Sequence, residues 1–197
     1  MKAAVFLDRD GTIVEDVGYL HRPDQLAIFP WTVEAIRALN RAGLPVIVVT
    51  NQSAIARGIL TEPALDEIHR ELDRALTAGG ATVDAYYYCP HHPEGQVAEY
   101  AIVCGCRKPA AGMIERAERD LGVDPGRSYV VGDSWVDVGL ARAVGARAVL
   151  VRSGHGAEQE ASRPPHLDAD AVLDNLAAAA SWILARAVDR SASLQPT

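Results

Sequence analysis

The chain has 197 residues, 49% of them hydrophobic, with a formal net charge of -7; that length fits one domain, expected over residues 1–188 ahead of a disordered polar tail over 189–197. The acidic balance argues against nucleic acid or an anionic membrane as the main partner, because phosphate backbones are bound through clustered Lys and Arg. No apolar run approaches the roughly 18 residues of a membrane span, and the start MKAAVFLDRD turns acidic too soon for a secretory signal, so a cytoplasmic location is expected.

The first predicted strand, Ala3–Asp8, ends in two carboxylates, Asp8 and Asp10, with Gly11 behind them. On a continuing strand their one-residue spacing would point both to the same face. A helix over Thr32–Ala42 follows, with Val33, Ile36 and Leu39 on one side, then a strand over Pro45–Thr50 that runs into Asn51, Gln52 and Ser53. Next come a helix over Glu62–Ala78 (Leu65, Ile68, Leu72, Leu76) and a strand over Asp84–Tyr88. A segment holding all three cysteines, Cys89, Cys104 and Cys106, leads to a helix over Ala111–Leu121. Strand Ser128–Gly132 ends at Asp133, helix Trp135–Val144 follows, and strand Arg147–Val151 opens into SGHG, which reads as a flexible turn. A short strand, Ala171–Leu173, and a last helix, Asp174–Ala187, close the pattern. Unalternated runs such as VIVVT suit strands buried on both faces. The expected fold is therefore α/β, a doubly wound parallel sheet, whose ligands sit beyond the carboxyl ends of the strands.

The polar punctuation falls at those ends. Asp8, Asp10 and Asp133 offer a hard divalent cation such as Mg²⁺ the oxygen ligands it prefers. A lone DxDG reads equally well as a turn, and Asp133 as a helix N-cap. Thr50, Asn51, Gln52 and Ser53 carry the hydroxyl and amide groups that contact phosphoryl oxygens. Lys108 is one of only two lysines in a chain that otherwise uses arginine, which suggests a need for a compact ammonium, although Arg107 and Lys108 read also as a solvated surface pair. The set FLDRDGT, TNQS, CRKP and GDSWVD, in that order over residues 3–151, resembles the four motifs of the haloacid dehalogenase (HAD) superfamily in its capless DxDGT phosphatase branch. The resemblance implies a HAD-like Rossmannoid fold and four catalytic residues, Asp8, Asp10, Thr50 and Lys108. By it Asp8 attacks phosphorus to form an aspartyl-phosphate, and Asp10 serves as acid and then base. Thr50 and Lys108 hold the phosphoryl group, and Asp8, the Asp10 backbone carbonyl and Asp133 hold Mg²⁺.

C-x-H followed twelve residues later by C-x-C offers three thiolates and an imidazole, a set suited to a closed tetrahedral Zn²⁺ site that staples a loop. A zinc loop just before CRKP, with CPHHPEG, is similar to the D-glycero-D-manno-heptose 1,7-bisphosphate 7-phosphatases, and this implies Cys89, His91, Cys104 and Cys106 as ligands. His92 is the alternative imidazole. The same resemblance places Asp16, Gly18, Tyr19 and Arg107 in substrate recognition with residues 51–53, although Asp16 reads also as a turn cap and Tyr19 as a packing residue. Ser134 stands where such phosphatases often carry lysine, which puts a contact from that position in doubt. Asp137 either orients that loop, binds metal through water, or is an ordinary helix-turn carboxylate. The activity implied is Mg²⁺-dependent removal of the 7-phosphate from a heptose bisphosphate by a monomer, on the way to nucleotide-activated heptose. The rivals are a histidinol-phosphate phosphatase and a zinc-stapled module that binds without turnover.

Overall fold

The computed structural model describes residues 1–192. Its elements are β1 (Val5–Leu7), α1 (Thr32–Arg41), β2 (Val46–Asn51), α2 (Ser53–Ala56), α3 (Glu62–Ala78), β3 (Ala85–Cys89), α4 (Gly112–Leu121), β4 (Tyr129–Gly132), α5 (Trp135–Val144), β5 (Arg147–Val151), α6 (Gly156–Ala161), β6 (Ala171–Leu173) and α7 (Leu176–Ala192). The six strands form one parallel sheet in the order β3-β2-β1-β4-β5-β6. β1 therefore lies between β2 and β4, with Leu7 opposite both Val48 and Val131. Three strand ends meet at the centre of one edge, and the topology reverses there.

Side chains alternate along each strand, so the apolar runs feed two cores. Val5, Leu7, Val46, Val48, Tyr129 and Val131 face α1, α3 and α7. Phe6, Ile47, Val49, Val130, Ala148 and Leu150 face α4 and α5. On α3, Leu65, Ile68, Leu72 and Leu76 are all fully buried, each stabilising by about 1.5–3 kcal/mol relative to exposure. That helix starts where the Thr61 hydroxyl accepts the Ala64 N–H at 3.3 Å.

Two local expectations are corrected, the strand placement of Asp8 and Asp10 and the end of the last helix, and two features are added, the hydrogen bonding of the turn after β5 and the short helix α2. β1 ends at Leu7 and the chain bends at Arg9, so strand alternation does not orient Asp8 and Asp10. The stretch after β5 is a built turn leading into α6: the Ser153 hydroxyl donates to Gly11 O at 2.7 Å. A four-residue helix, α2, follows Gln52. The last helix runs on to Ala192, so residues 189–192 of the expected tail are helical, and 193–197 lie outside the described residues. No helix among the described residues is long and apolar enough to cross a membrane.

Candidate active site

The central strand ends build a cavity of about 240 Å³ whose floor carries Asp8, Thr50, Lys108 and Asp133, with Asp10, Asn51, Asp16 and Gly18 also on its wall. Asp8 leaves the sheet with its N–H still held by Val131 O at 2.9 Å, which places its carboxylate above the β1–β4 boundary. Lys108 reaches it from the opposite side. The ammonium lies 2.9 Å from Asp8 Oδ1, 2.7 Å from Asp137 Oδ1 and 3.0 Å from Val49 O, so all three of its protons are committed. The Lys108 backbone is clasped by the Asn51 amide, which accepts the Lys108 N–H at 3.0 Å and donates to its carbonyl at 3.2 Å.

Asp133 enters from the end of β4 and accepts the His155 N–H at 2.8 Å. Two glycines make room for it: a Cβ on Gly11 would stand 2.1 Å, and one on Gly154 2.3 Å, from Asp133 Oδ2. Both have φ in the left-handed region, at 78° and 58°.

Oxygens of Asp8, Asp133 and Asp137 all lie within 4.8 Å of one another. Burial, reinforced by Asp137, Asp133 and Asp10 and opposed by Lys108, pushes the Asp8 carboxyl up to about 8. Burial raises Asp133 to about 6, against the His155 N–H. Burial by itself would lower Lys108, but Asp137 and Asp8 outweigh it and hold the ammonium charged. Three carboxylates facing one ammonium are short of positive charge, and a hard divalent cation fits that donor set. The Asp10 carboxylate stands apart from this trio, paired with Arg9 at 2.9 Å and with the Gln52 amide at 3.0 Å.

The second cluster sits at the end of β3. The Cys89 sulfur lies 3.5 Å from Cys104 Sγ and 3.2 Å from Cys106 Sγ, and His91 Nδ1 lies 3.6 Å from Cys89 Sγ and 3.3 Å from Cys106 Sγ. Four ligands on arms of about 2.3 Å to a tetrahedral centre stand about 3.7 Å apart, so the set fits Zn²⁺ with slight expansion. All three cysteines are free of disulfides. His92 turns elsewhere, its Nδ1 accepting the Glu94 N–H.

Four residues expected at the substrate are not on the cavity wall. Gln52 is buried behind it, bridging Asp10 and the Thr50 hydroxyl. Ser53 opens α2, Tyr19 is exposed, and Arg107 donates to His91 O at 3.2 Å on the cysteine loop. Ser134 caps α5, accepting the Val136 N–H at 3.2 Å, while Asp137 accepts the Ser134 N–H in return. A short cap there leaves no side chain to replace an ammonium.

Arg9, His69 and His155 carried no expectation and yet adjoin the site. Arg9 and His69 are buried behind Asp10, and the His155 ring lies 3.2 Å from Asp16 on the cavity wall. The contacts of His69 with Arg9 and of His155 with Asp16 join residues 60 or more positions apart, which no spacing displays; only the arginine inside DRDG was a local signal.

Residues 105–179 match a family model described as HAD-hydrolase-like. The chain is 42% identical over 187 residues, 93% of its length and 96% of the relative's, to a D-glycero-beta-D-manno-heptose-1,7-bisphosphate 7-phosphatase of Yersinia pestis. It is 44% identical over 176 residues, 88% of its length and 90% of the relative's, to the protein of that name in Escherichia coli strain K12. A crystal structure of D,D-heptose 1,7-bisphosphate phosphatase from B. bronchiseptica, complexed with magnesium and phosphate, superposes with a TM-score of 0.83 at 34% identity, covering 94% of this chain and 99% of that one.

Proposed function

Because this chain belongs to the D-glycero-beta-D-manno-heptose-1,7-bisphosphate 7-phosphatase family of HAD-type phosphoric monoester hydrolases, we propose that it removes the 7-phosphate of the β-anomer of that sugar bisphosphate through an aspartyl-phosphate on Asp8. The observation that carries the reading is the cavity that brings Asp8, Asp10, Thr50, Lys108 and Asp133 to one place. The relatives' names favour the β-anomer.

In the first step an Asp8 carboxylate oxygen attacks phosphorus, the bond from phosphorus to the sugar oxygen breaks, and Asp10 gives that oxygen its proton. In the second, water attacks phosphorus, its proton goes to Asp10, and the bond to Asp8 breaks to release phosphate. Lys108 is suited to the transferring group because Val49 O and Asp137 fix its position, and the proton it gives Asp8 would turn to a phosphoryl oxygen as Asp8 bonds to phosphorus. Thr50 offers its hydroxyl from the same floor. Asp8, the Asp10 carbonyl and Asp133 would hold Mg²⁺, which supplies charge neutralisation at the phosphoryl oxygens. Cys89, His91, Cys104 and Cys106 would hold a structural Zn²⁺. Asp16 and Gly18 line the side on which a sugar would lie, with Tyr19 and Arg107 farther out. The protein would act as a single-domain cytoplasmic monomer, preparing heptose for nucleotide activation.

The test is phosphate release with Mg²⁺, comparing kcat/KM for the β- and α-anomers of heptose 1,7-bisphosphate and for histidinol phosphate. Preference for the β-heptose by orders of magnitude supports the proposal. Preference for histidinol phosphate would keep the chemistry and overturn the substrate.

A further inference from the structure

A buried polar chain runs behind Asp10 with no direct access to a substrate. Arg9 Nη2 donates to Asp10 Oδ1 at 3.0 Å and to Oδ2 at 2.9 Å, and Arg9 Nε reaches Oδ1 at 3.2 Å. Gln52 closes the ring. Its Oε1 accepts from Arg9 Nη2 at 3.1 Å, and its Nε2 donates to Asp10 Oδ2 at 3.0 Å and to the Thr50 hydroxyl at 2.8 Å. The guanidinium is anchored on the far side by His69 of α3, with Arg9 Nη1 and His69 Nε2 3.3 Å apart. Arginine can only donate, so His69 accepts through Nε2 and its ring is neutral. The ring is itself fixed by stacking on Tyr86, with centroids 4.5 Å apart, and the Tyr86 hydroxyl donates to Asp73 at 2.7 Å. Arg9, Gln52 and His69 are 1%, 4% and 6% exposed.

A guanidinium fork fixes both the distance and the plane of a carboxylate. It does so only while its own plane is fixed, and here the remaining nitrogen is fixed by a residue 60 positions away. From this arrangement we infer that His69 is a positioning residue for proton transfer: through Arg9 it sets the plane of the Asp10 carboxyl, and so the delivery of a proton to the leaving sugar oxygen. The inference rests on the proposed role of Asp10 as the acid. His69 touches no substrate, since the Arg9 side chain separates it from the cavity.

Leaving groups expose this role. A sugar alkoxide needs a proton as its bond to phosphorus breaks, whereas p-nitrophenolate leaves without one. A merely structural change lowers turnover of both. The Mg²⁺- and Zn²⁺-loaded full chain, as wild type, His69→Leu, His69→Gln and Asp10→Asn, is compared on the sugar bisphosphate and on p-nitrophenyl phosphate. The readout is kcat/KM, which counts steps only through phosphorylation of Asp8. His69→Leu is expected to lose at least tenfold on the sugar and less than threefold on the aryl ester. His69→Gln, which keeps an acceptor for Arg9, returns to within threefold of wild type on both. If His69→Leu does not fold, His69→Met fills the same space without a strong acceptor and carries the same expectation. Equal losses on both substrates in the leucine or methionine variant, or no loss on either, overturn the inference while Asp10→Asn still shows the split. Equal losses in Asp10→Asn overturn the acid role and the positioning role together.

Discussion

Lys108→Met removes the ammonium and keeps most of its apolar stem. The Lys108 and Asp137 side chains are 3% and 2% exposed and Asp8 is 14% exposed, so the change leaves two enclosed carboxylates without their cation. Breaking a buried pair from one side costs about 3–5 kcal/mol. Val49 O also loses its 3.0 Å donor. Asp8 already titrates near 8 with the ammonium beside it, far above the unfolded value of about 3.9. A raised folded-state value means that Asp8 favours folding below the unfolded value and loses that contribution as pH rises toward 8. Without Lys108 the Asp8 value climbs further, so the deficit is largest at pH 8 and shrinks toward pH 5. Urea unfolding in the absence of Mg²⁺ at those two pH values measures it, and added Mg²⁺ should recover part of the loss at pH 8. In steady-state assays kcat falls about 10²–10³-fold, the usual effect of removing one preorganised donor to transition-state charge. A variant with turnover within threefold of wild type and an unchanged urea midpoint at pH 8 would refute this account of Lys108.

Further outcomes follow from other residues. Gly154→Ala combines a left-handed backbone with a Cβ 2.3 Å from Asp133 Oδ2 and 2.4 Å from Gly11 Cα, so urea unfolding should show a loss of about 2–5 kcal/mol. Gly43→Ala, also left-handed but with nothing within 4 Å, should lose only about 1–2 kcal/mol, and equal losses would show that the Asp133 cradle is not tight. Metal analysis should find one zinc per chain, largely lost in Cys106→Ser, with trypsin then cutting at Arg107; unchanged zinc in that variant would count against the ligand set. His69 is held to about 3, by burial and then by Arg9, against an ordinary value near 6.5. The unfolded chain therefore takes a proton on His69 that the folded one refuses, and stability falls between pH 6.5 and 3 by up to about 1.4 kcal/mol per pH unit. In His69→Gln that contribution is absent, so an identical acid slope in wild type and variant would contradict it.

Much of this was legible because a parallel sheet buried on both sides demands apolar runs, and the predicted strands ended at residues 8, 50, 88, 132 and 151, where polar groups begin. β5, β6, α3 and α5 have the bounds that their patterns predict. The short helices α2 and α6 were not legible, since four and six residues are too few to display a helical period. The carboxylate trio was legible for Asp8 and Asp133. Asp137 was ambiguous, because its spacing from Ser134 suits a capping box whether or not a lysine 29 residues away leans on it. Arg9 and His69 were hidden for a plainer reason: an arginine between two aspartates reads as solvated charge until the fold encloses it.

Cys106 and Lys108 are separated by a single residue, so the thiol cluster at the sheet edge and the ammonium at its centre hang on the same short piece of chain. Two residues of backbone span at most about 7 Å, too little slack for one end to drift while the other stays in place. Asn51 pins this link from below, and the cysteines tension it from the side. On the proposed reading, a zinc ion held by the cysteines would thereby also fix where Lys108 stands, although it lies outside the cavity that Lys108 lines.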